Sequence, residues 1–191
     1  MDIIRQAVKV LNADGLVVYP TETVYGLGGD ALSDDAIQKV YEAKGRLISK
    51  PISIAVSDFE MLCAVGRIGV PEEDFISRFL PGPVTIVVRA RSSVPDILTG
   101  GTGMIGIRYP DHPLALQLIS EFDSPVTATS ANQSGAKDPV TPDECHVLYD
   151  ILIDGGRLPG TPSTVVDLVN RIIIRNGAIS SEIAQWLSGL E

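Results

Sequence analysis

Short apolar runs of strand length alternate along this chain with segments whose apolar residues recur at helical spacing, and this alternation constrains the fold more than any other feature. Helices are predicted at residues 3–11, between Ser33 and Gly45, from Ser57 to about position 64, from Pro71 onward, at 113–122 and at 180–187. Strands are predicted at residues 16–19, 52–56, 84–89, 105–108, 126–129, 151–153, 164–168 and 171–175. This order predicts an α/β fold, with one mixed β-sheet and flanking helices in a single domain over residues 1–191.

The ends of the predicted helices are marked by capping residues. Ser33 is expected to cap the second helix at its start and Gly45 to end it, because serine suits an N-cap and glycine a left-handed C-cap. Ser180 is expected to cap the last helix in the same way as Ser33. Lys44 and Arg46 therefore flank the C-terminal end of the second helix.

The composition narrows the class of protein. Hydrophobic residues make up 45% of the 191 residues and charged residues 20%, which is enough apolar material for a sizeable core. No apolar run approaches the roughly 20 residues that span a bilayer. The first ten residues also lack the apolar core of an export signal. We therefore expect a cytoplasmic protein that does not contact a membrane.

The charge of the chain disfavours broad binding to nucleic acid. The formal net charge is −9, whereas affinity for a polyanion is supplied mainly by cationic contacts with phosphates. The cations are unevenly distributed, since Lys39, Lys44, Arg46 and Lys50 lie close together in sequence. This pattern predicts a local site for a small anionic ligand.

No metal site or covalent nucleophile is predicted. His112 and His146 are not embedded in ligand spacings, and Cys63 and Cys145 have no CxxC spacing, so both cysteines are expected to be free thiols. The chain contains neither a P-loop nor a nucleophile elbow. Catalysis through a protein nucleophile therefore has little support.

The first polar loop, at positions 20–31, reads PTETVYGLGGDA and follows a predicted strand. Its Gly26-x-Gly28-x-x-Ala31 spacing superficially matches a dinucleotide fingerprint, but the next helix begins only after Ser33. A structural turn explains the glycines. It does not explain why Thr21, Glu22 and Thr23 follow a hydrophobic strand, so these three side chains are expected to orient a ligand.

The second loop contains Lys44 and Arg46, with Lys50 soon after. Cations at the end of a helix complement its dipole, so a solvated helix end is one interpretation. The other is phosphate capture, in which a lysine supplies a mobile charge and an arginine a planar fork for two oxygens. The sequence pattern leaves both open.

Two further loops bring short polar side chains to the ends of strands. Residues 126–135 read VTATSANQSG, and their hydroxyl and amide groups exceed what one turn requires, although a capping role for Ser130 and Asn132 is the alternative. Residues 162–167 read PSTVVD, and the strand after them ends at Arg175. Ligand-binding groups of an open α/β sheet usually lie at such strand ends.

Taken in order, these segments resemble the YrdC-like family of threonylcarbamoyl-AMP synthases over nearly the whole chain. The matching pieces are PTETVYGLGGDA at 20–31, AKGR at 43–46, KPISIAVSD at 50–58, FLPGPVT at 79–85, GIRYPDHP at 106–113, TSANQSG at 129–135, STVVD at 163–167 and RNGAI at 175–179. Any one of them could be accidental, but their shared order is specific. The resemblance implies an open, twisted mixed β-sheet curved around a cationic cavity.

The resemblance also implies roles for particular residues. Lys44 and Arg46 match the K-x-R part of the family signature and are expected to be catalytic and to bind the nucleotide. Thr21 and Arg108 resemble the residues that hold threonine, and a guanidinium fork suits its carboxylate. The remaining nucleotide-binding residues implied by the resemblance are Ser130, Asn132, Ser163 and Arg175.

The implied reaction combines L-threonine, bicarbonate or CO2, and ATP into threonylcarbamoyl-AMP and pyrophosphate, for threonylcarbamoyladenosine modification of tRNA. Mg²⁺ would arrive with ATP, and the labile product would be handed to a tRNA threonylcarbamoyl transferase complex. Direct binding of tRNA is not expected to be strong. Such a site works by positioning and electrostatics, as phosphoryl transfer generally does.

Two departures and two alternatives accompany this resemblance. Some relatives carry a histidine where this chain has Ala55, and longer relatives add a second domain that we do not expect here. The alternatives are an RNA-binding module and another carbamoyl-adenylate-forming enzyme, as in hydrogenase-maturation carbamoyltransferases. The acidic balance argues against the first, and the missing zinc-binding modules argue against the second.

Overall fold

The computed structural model describes residues 2–189, which form seven α-helices, ten strands and one 3-10 helix at Pro142–Glu144. The helices are α1 (Ile3–Leu11), α2 (Asp34–Lys44), α3 (Phe59–Val65), α4 (Val70–Phe79), α5 (Asp96–Thr99), α6 (Pro113–Phe122) and α7 (Ser180–Ser188). The strands are β1 (Val17–Tyr19), β2 (Gly26–Gly28), β3 (Ile54–Ala55), β4 (Val84–Arg89), β5 (Met104–Arg108), β6 (Val126–Thr127), β7 (Thr129–Ser130), β8 (Ile151–Leu152), β9 (Thr164–Asp167) and β10 (Ile172–Arg175).

The strands form two sheets, so the predicted α/β class is confirmed but the single sheet is wrong. One sheet has four strands in the order β7-β2-β1-β8, and the other has six in the order β10-β9-β4-β5-β3-β6. Both are mixed, since β1 is antiparallel to β2 and parallel to β8, while β4 is antiparallel to β5 and parallel to β9. The two sheets together position the site described below.

The segment at residues 126–129 explains part of this difference. It was predicted as one strand, but β6 pairs with β3 of the six-stranded sheet, whereas β7 pairs with β2 of the four-stranded sheet. Ala128 lies between them and donates its N–H to the carbonyl of Ser53 at 2.7 Å. Both halves have strand-forming residues, so only the choice of partner strand separates them.

Strand β2 lies where a glycine-rich loop was predicted, and its glycines allow close packing. A Cβ added at Gly28 would lie 2.9 Å from Cε1 of the Tyr19 ring, and one added at Gly26 would lie 3.0 Å from its Cζ. Real Cβ atoms are essentially never found closer than 3.0 Å, so the ring leaves no room for larger residues. The glycines therefore allow β2 to pack closely against Tyr19 of β1. This role agrees with the sequence analysis, in which their spacing matches a dinucleotide-binding fingerprint only superficially.

The predicted caps of α2 are confirmed, and the predicted cap of α7 is wrong. The Ser33 hydroxyl accepts the N–H of Ala36 at 3.3 Å, and Gly45 ends the helix with φ +57°. In α7 the N-cap is Ile179, and Ser180 is the first helical residue. The Ser180 hydroxyl instead accepts the N–H of Gly177 at 2.7 Å, which holds the turn before the helix.

Two clusters of buried side chains hold the elements together. The smaller joins α1 to α6, where Ile4 and Leu11 pack among buried residues that include Leu118 and Ile119. The larger covers the six-stranded sheet and includes Phe75 of α4 and Ile183 of α7. Each fully buried side chain of this size contributes about 1.5–3 kcal/mol relative to an exposed one. Within residues 2–189, no helix has the length and apolarity needed to cross a membrane.

Candidate functional site

A cavity of about 210 Å³ lies between the two sheets. Its wall includes residues from β1, β2, β3, β4, β5, β7, β9 and β10, together with the loops that join them. Side chains far apart in sequence therefore meet at one place. The polar groups that line it are Thr21, Thr23, Arg46, Ser53, Thr85, Arg108, Thr129, Ser130, Asp138, Ser163 and Arg175.

One wall is a single row of paired residues across the six-stranded sheet. The pairs run from Ala55 to Arg108, then to Thr85, then to Val165 and finally to Arg175. All five residues line the cavity. Residues paired across neighbouring strands share a face of the sheet, so the register places Arg108 and Arg175 on one face with Thr85 between them.

The opposite wall is a second row, from the four-stranded sheet. Tyr19 pairs with Gly26, and Gly26 pairs with Ser130. The Tyr19 hydroxyl donates to the Thr127 carbonyl at 3.1 Å, and burial raises the pKa of this phenol well above its ordinary value. Tyr19 is therefore a neutral, fixed surface of the cavity.

Arg46 reaches the cavity because Gly45 turns the chain at the end of α2. Its Nε donates to the Lys50 carbonyl at 3.3 Å, and its Nη2 donates to the Pro51 carbonyl at 2.8 Å. Both acceptors are neutral, so the guanidinium charge is not cancelled by a contact. The structure thus brings Arg46 to the site, as predicted from the sequence.

Arg175 is held against Ser163 at the other end of the row. Its Nε and Nη2 both donate to the Ser163 carbonyl, at 3.2 and 2.9 Å, and Nη2 also donates to the Ser163 hydroxyl at 2.9 Å. That hydroxyl lies 2.8 Å from the Thr85 hydroxyl. Burial lowers the pKa of Arg175; the nearby Arg108 lowers it further, while Asp138 opposes both.

Arg108 is buried and ion-paired. Its Nη2 donates to Oε1 of Glu22 at 2.8 Å and to the Thr23 hydroxyl at 3.1 Å. The Thr23 hydroxyl is 2.9 Å from the Thr21 hydroxyl, which also donates to the Val24 carbonyl at 2.7 Å. Thr21 therefore orders the loop that holds Arg108, in addition to lining the cavity.

Lys44 and Asn132, which are predicted to bind the nucleotide, are not among the residues that line the cavity, and their nucleotide binding stays a prediction. Lys44 is 2% exposed, and its ammonium donates to the Ser130 carbonyl, to the Asn132 carbonyl at 2.8 Å and to the Asn132 side-chain oxygen at 3.2 Å. An ammonium has three N–H groups, and these three acceptors match them in number. The prediction treated Lys44 as a free point charge, whereas the fold uses it to fix a loop.

Asn132 completes this buried arrangement. Its side-chain oxygen accepts the Ser130 hydroxyl at 2.7 Å, and its amide donates to the Ala136 carbonyl at 2.6 Å and to Asp138 at 3.2 Å. Burial lowers the pKa of Lys44 to about 8, and the charge of Arg46 lowers it as well, while Asp138 opposes the change. Lys44 and Asn132 thus position Ser130 and Asp138, which do line the cavity.

Several lining residues were not singled out from the sequence, among them Thr85, Asp138 and Tyr19. Thr85 is the one hydroxyl in the apolar run of β4, and this interruption was a usable signal. Asp138 follows the polar loop at 129–135, but nothing in the sequence links it to Arg175. Tyr19 reads as an ordinary core residue, so its place in the cavity depends on the pairing of β1 with β2.

Chemically, this site can bind two anionic groups and orient them without a covalent intermediate. Three guanidinium groups, from Arg46, Arg108 and Arg175, share the cavity with several hydroxyls and with one carboxylate, Asp138, among the described residues. Fixed cations and hydroxyls of this kind stabilise charge that develops during acyl or phosphoryl transfer.

Comparison with known proteins agrees with this arrangement. Residues 9–177 match the Sua5/YciO/YrdC family model, whose description is "Telomere recombination". The threonylcarbamoyl-AMP synthase of Pyrococcus abyssi is 38% identical over 97% of this chain and 57% of its own length. The synthase of the same name from Escherichia coli K12 is 33% identical over 92% of this chain and 96% of its own length. The chain thus spans little more than half of the Pyrococcus relative.

Solved structures share the fold. The crystal structure of P. abyssi Sua5 complexed with L-threonine matches with a TM-score of 0.92 and 36% identity, covering 96% of this chain and 56% of that one. Full-length HypF in its phosphate- and nucleotide-bound form matches with a TM-score of 0.74 at 18% identity, which shows a shared fold alone. From the family model and these relatives, the chain belongs to the Sua5/YciO/YrdC family.

Proposed function

We propose that this chain is a threonylcarbamoyl-AMP synthase, a nucleotidyltransferase that converts L-threonine, bicarbonate or CO2, and ATP into threonylcarbamoyl-AMP and pyrophosphate. The observation that carries the proposal is the sheet row that presents Arg108 and Arg175 to one cavity, with Thr85 between them. The reaction has to bring the carboxylate of threonine and the phosphates of ATP into one site, and separate cationic groups in one cavity can hold both. Two relatives that are named threonylcarbamoyl-AMP synthase support the assignment, and this chain covers nearly the full length of one of them.

Arg108 is the group that we assign to the amino acid carboxylate. Its guanidinium lines the cavity, and its Nε is buried without an acceptor within the described part of the chain, so the hydrogen-bonding capacity of this arginine is not used up by the protein. The threonine complex of P. abyssi Sua5 shows that a protein with this fold binds L-threonine. Thr21 and Thr23 are the hydroxyls next to Arg108, and we assign them to the region of the amine.

Arg46, Arg175 and the hydroxyls of Ser130 and Ser163 are the groups that we assign to the phosphates. Each arginine is held by neutral oxygens and keeps its full charge for a ligand. A cavity of about 210 Å³ encloses less than the roughly 300–1,000 Å³ of pockets for drug-sized ligands. It can therefore enclose threonine and the reacting phosphate, with the nucleoside extending toward the opening.

The chemistry requires two bond-forming steps. The threonine amine adds to the carbon of CO2 and loses a proton, which gives a carbamate. A carbamate oxygen then attacks the α-phosphorus of ATP, the bond from that phosphorus to the bridging oxygen breaks, and pyrophosphate leaves with the electron pair. Arg46 and Arg175 would stabilise the phosphate charge in this step, and Arg108 would hold the threonine carboxylate in place.

Magnesium would reach the site as the ATP complex. Within residues 2–189, no group of three or more His, Cys, Asp or Glu side chains could hold a metal ion, and Asp138 supplies the cavity with one carboxylate. This donor set fits a cation that takes most of its oxygens from phosphates and water. When bound, Mg²⁺ would neutralise phosphate charge; the residues of this chain would orient the two substrates.

The product is an acyl-adenylate, which is reactive toward water. We therefore propose that it passes to a tRNA threonylcarbamoyl transferase complex in the cytoplasm, and that this chain needs no strong contact with tRNA itself. The net charge of −9 supports that division of work, because it disfavours association with a polyanion.

The test is an assay on the purified chain with ATP, Mg²⁺ and labelled bicarbonate. With L-threonine we expect pyrophosphate and a labelled adenylate, and with L-valine, which lacks the hydroxyl, much less of both. An Arg108→Met variant should require far more threonine while its affinity for ATP stays within about threefold, since these two ligands contact different arginines. Labelled adenylate formed from carbamoyl phosphate without threonine, or tight ATP-independent tRNA binding, would refute the proposal.

A further inference from the structure

The three arginines of the cavity differ in the charge of the groups that hold them. Arg46 donates to the carbonyls of Lys50 and Pro51, and Arg175 donates to the carbonyl and hydroxyl of Ser163. These acceptors are uncharged. Arg108 alone of the three has a carboxylate in contact within residues 2–189, the Oε1 of Glu22 at 2.8 Å.

The contact between Glu22 and Arg108 is well shielded from water. The two side chains are 17% and 9% exposed, so the charge of Glu22 acts on its surroundings with little screening. Glu22 is not among the residues that line the cavity, but it contacts Arg108, which does line it. Burial is the main reason that the pKa of Tyr19 is raised; the charge of Arg108 lowers this pKa and the charge of Glu22 raises it, so both members of the pair act on a residue of the cavity wall.

Neither group of this pair is fully satisfied. Oε2 of Glu22 and Nε of Arg108 are buried and lack hydrogen-bond partners among the described residues. The pair therefore has one contact where the geometry of a guanidinium and a carboxylate allows two. The hydrogen-bonding capacity of Arg108 is thus not used up, and the carboxylate of Glu22 offsets part of its positive charge.

We infer that Glu22 determines which of the two substrates occupies Arg108, by reserving that arginine for the zwitterionic amino acid and keeping the triphosphate at Arg46 and Arg175. This inference rests on the proposed function. An amino acid has no net charge, so its ammonium offsets the repulsion between its carboxylate and Glu22. A triphosphate carries several negative charges and no positive one, so Glu22 repels it strongly from the same position.

This assignment of each substrate to its own arginines matters because the site must hold both substrates at once. Arg108 and Arg175 line one cavity from the same row of the six-stranded sheet, so a polyphosphate that binds one guanidinium can reach toward the other. Without Glu22, the strongest anion would occupy all the cations, and threonine would be excluded. Glu22 is thus a specificity-determining residue that acts through Arg108, not a catalytic residue.

The test uses inorganic tripolyphosphate as the polyanion and measures the dissociation constant of L-threonine by titration calorimetry. In the wild-type chain, tripolyphosphate should change that constant less than about twofold, because the two ligands bind together. In Glu22→Gln, saturating tripolyphosphate should weaken threonine binding by at least about tenfold, since the polyanion now reaches Arg108. Glu22→Asp keeps the charge and should behave like the wild type in this competition.

Two controls separate this effect from a structural one. Glu60→Gln removes an exposed carboxylate on α3 and should leave the competition as in the wild type. Adding Arg108→Met to Glu22→Gln should abolish the extra binding of tripolyphosphate, because that arginine is the group gained by the polyanion. A mere loss of folding would lower the melting temperature and weaken both ligands without making them competitive.

The outcomes are distinguishable from those of the proposed function. If the wild type binds threonine but forms no threonylcarbamoyl-AMP, the proposed function fails. If the wild type forms the product and Glu22→Gln shows no new competition, the inference about Glu22 fails alone. Should Glu22→Gln not fold, the wild type still decides, because displacement of threonine by tripolyphosphate in that protein overturns the inference.

Discussion

The ammonium of Lys44 lies 2.8 Å from the main-chain oxygen of Asn132, a residue 88 positions further along the chain. It also contacts the Asn132 side chain and the Ser130 carbonyl, so the last residue of α2 fixes the loop that follows β7. The contacts of Lys44 within the protein therefore hold the wall of the cavity in place, and its predicted contact with phosphate stays a prediction.

Replacement of Lys44 by methionine should lower stability and nucleotide affinity together. The substitution keeps the buried chain length but removes the ammonium donor from the Ser130 and Asn132 carbonyls, whereas the Asn132 side-chain oxygen still accepts the Ser130 hydroxyl. Each unsatisfied buried group costs about 1–3 kcal/mol. We expect a loss of roughly 2–4 kcal/mol in the free energy of unfolding, measured by urea denaturation. A Lys44→Met protein with wild-type stability and a large loss of activity would show instead that the ammonium acts directly on the ligand.

Arg46→Met should reduce activity strongly while changing stability very little. The arginine donates to two carbonyls in a partly exposed loop, so its removal should change stability by less than about 1 kcal/mol. Loss of a fixed cation beside a reacting phosphate should reduce kcat/KM for ATP by about 10²–10³-fold. Pyrophosphate release by single-turnover kinetics measures this loss, and a variant with unchanged kcat/KM would remove Arg46 from the site.

The stability of the protein should depend on pH through Lys44. Burial lowers the pKa of Lys44 to about 8 in the folded chain, below the ordinary value that it regains on unfolding. Between these two values the unfolded chain holds more protons than the folded one, so the Lys44 contribution makes unfolding less favourable as pH rises. The difference in unfolding free energy between the wild type and Lys44→Met should increase from pH 8 toward pH 10. A constant difference would contradict the lowered pKa.

Gly28→Ala should destabilise the four-stranded sheet. The new Cβ would lie 2.9 Å from Cε1 of Tyr19, a buried ring whose hydroxyl is held by the Thr127 carbonyl. Overpacking of this kind costs about 1–3 kcal/mol, and thermal denaturation should detect it. Gly189→Ala is a matched control, since its Cβ would meet nothing closer than 3.5 Å and its φ is −83°, so the melting temperature should hardly change. Equal effects at both positions would argue against the packing role of Gly28.

Short stretches of sequence were sufficient to predict where most of the helices and strands lie. Ser33 and Gly45 bound α2 as predicted, and β4 occupies Val84–Arg89, because caps and apolar runs act over a few residues. The order of the polar loops was also sufficient for the family. These features depend on neighbours in the chain, and a sequence shows its neighbours directly.

What only the tertiary structure decided is which strands pair and in what register. The pairing of Thr85 with both Arg108 and Val165 places two distant arginines on one face, and no local pattern encodes that register. The same reason explains the division of residues 126–129 between two sheets and the burial of Lys44. Side-chain roles at this site follow from contacts between residues that are far apart in sequence, so the chain alone names the candidate groups, and folding selects which of them face the ligand.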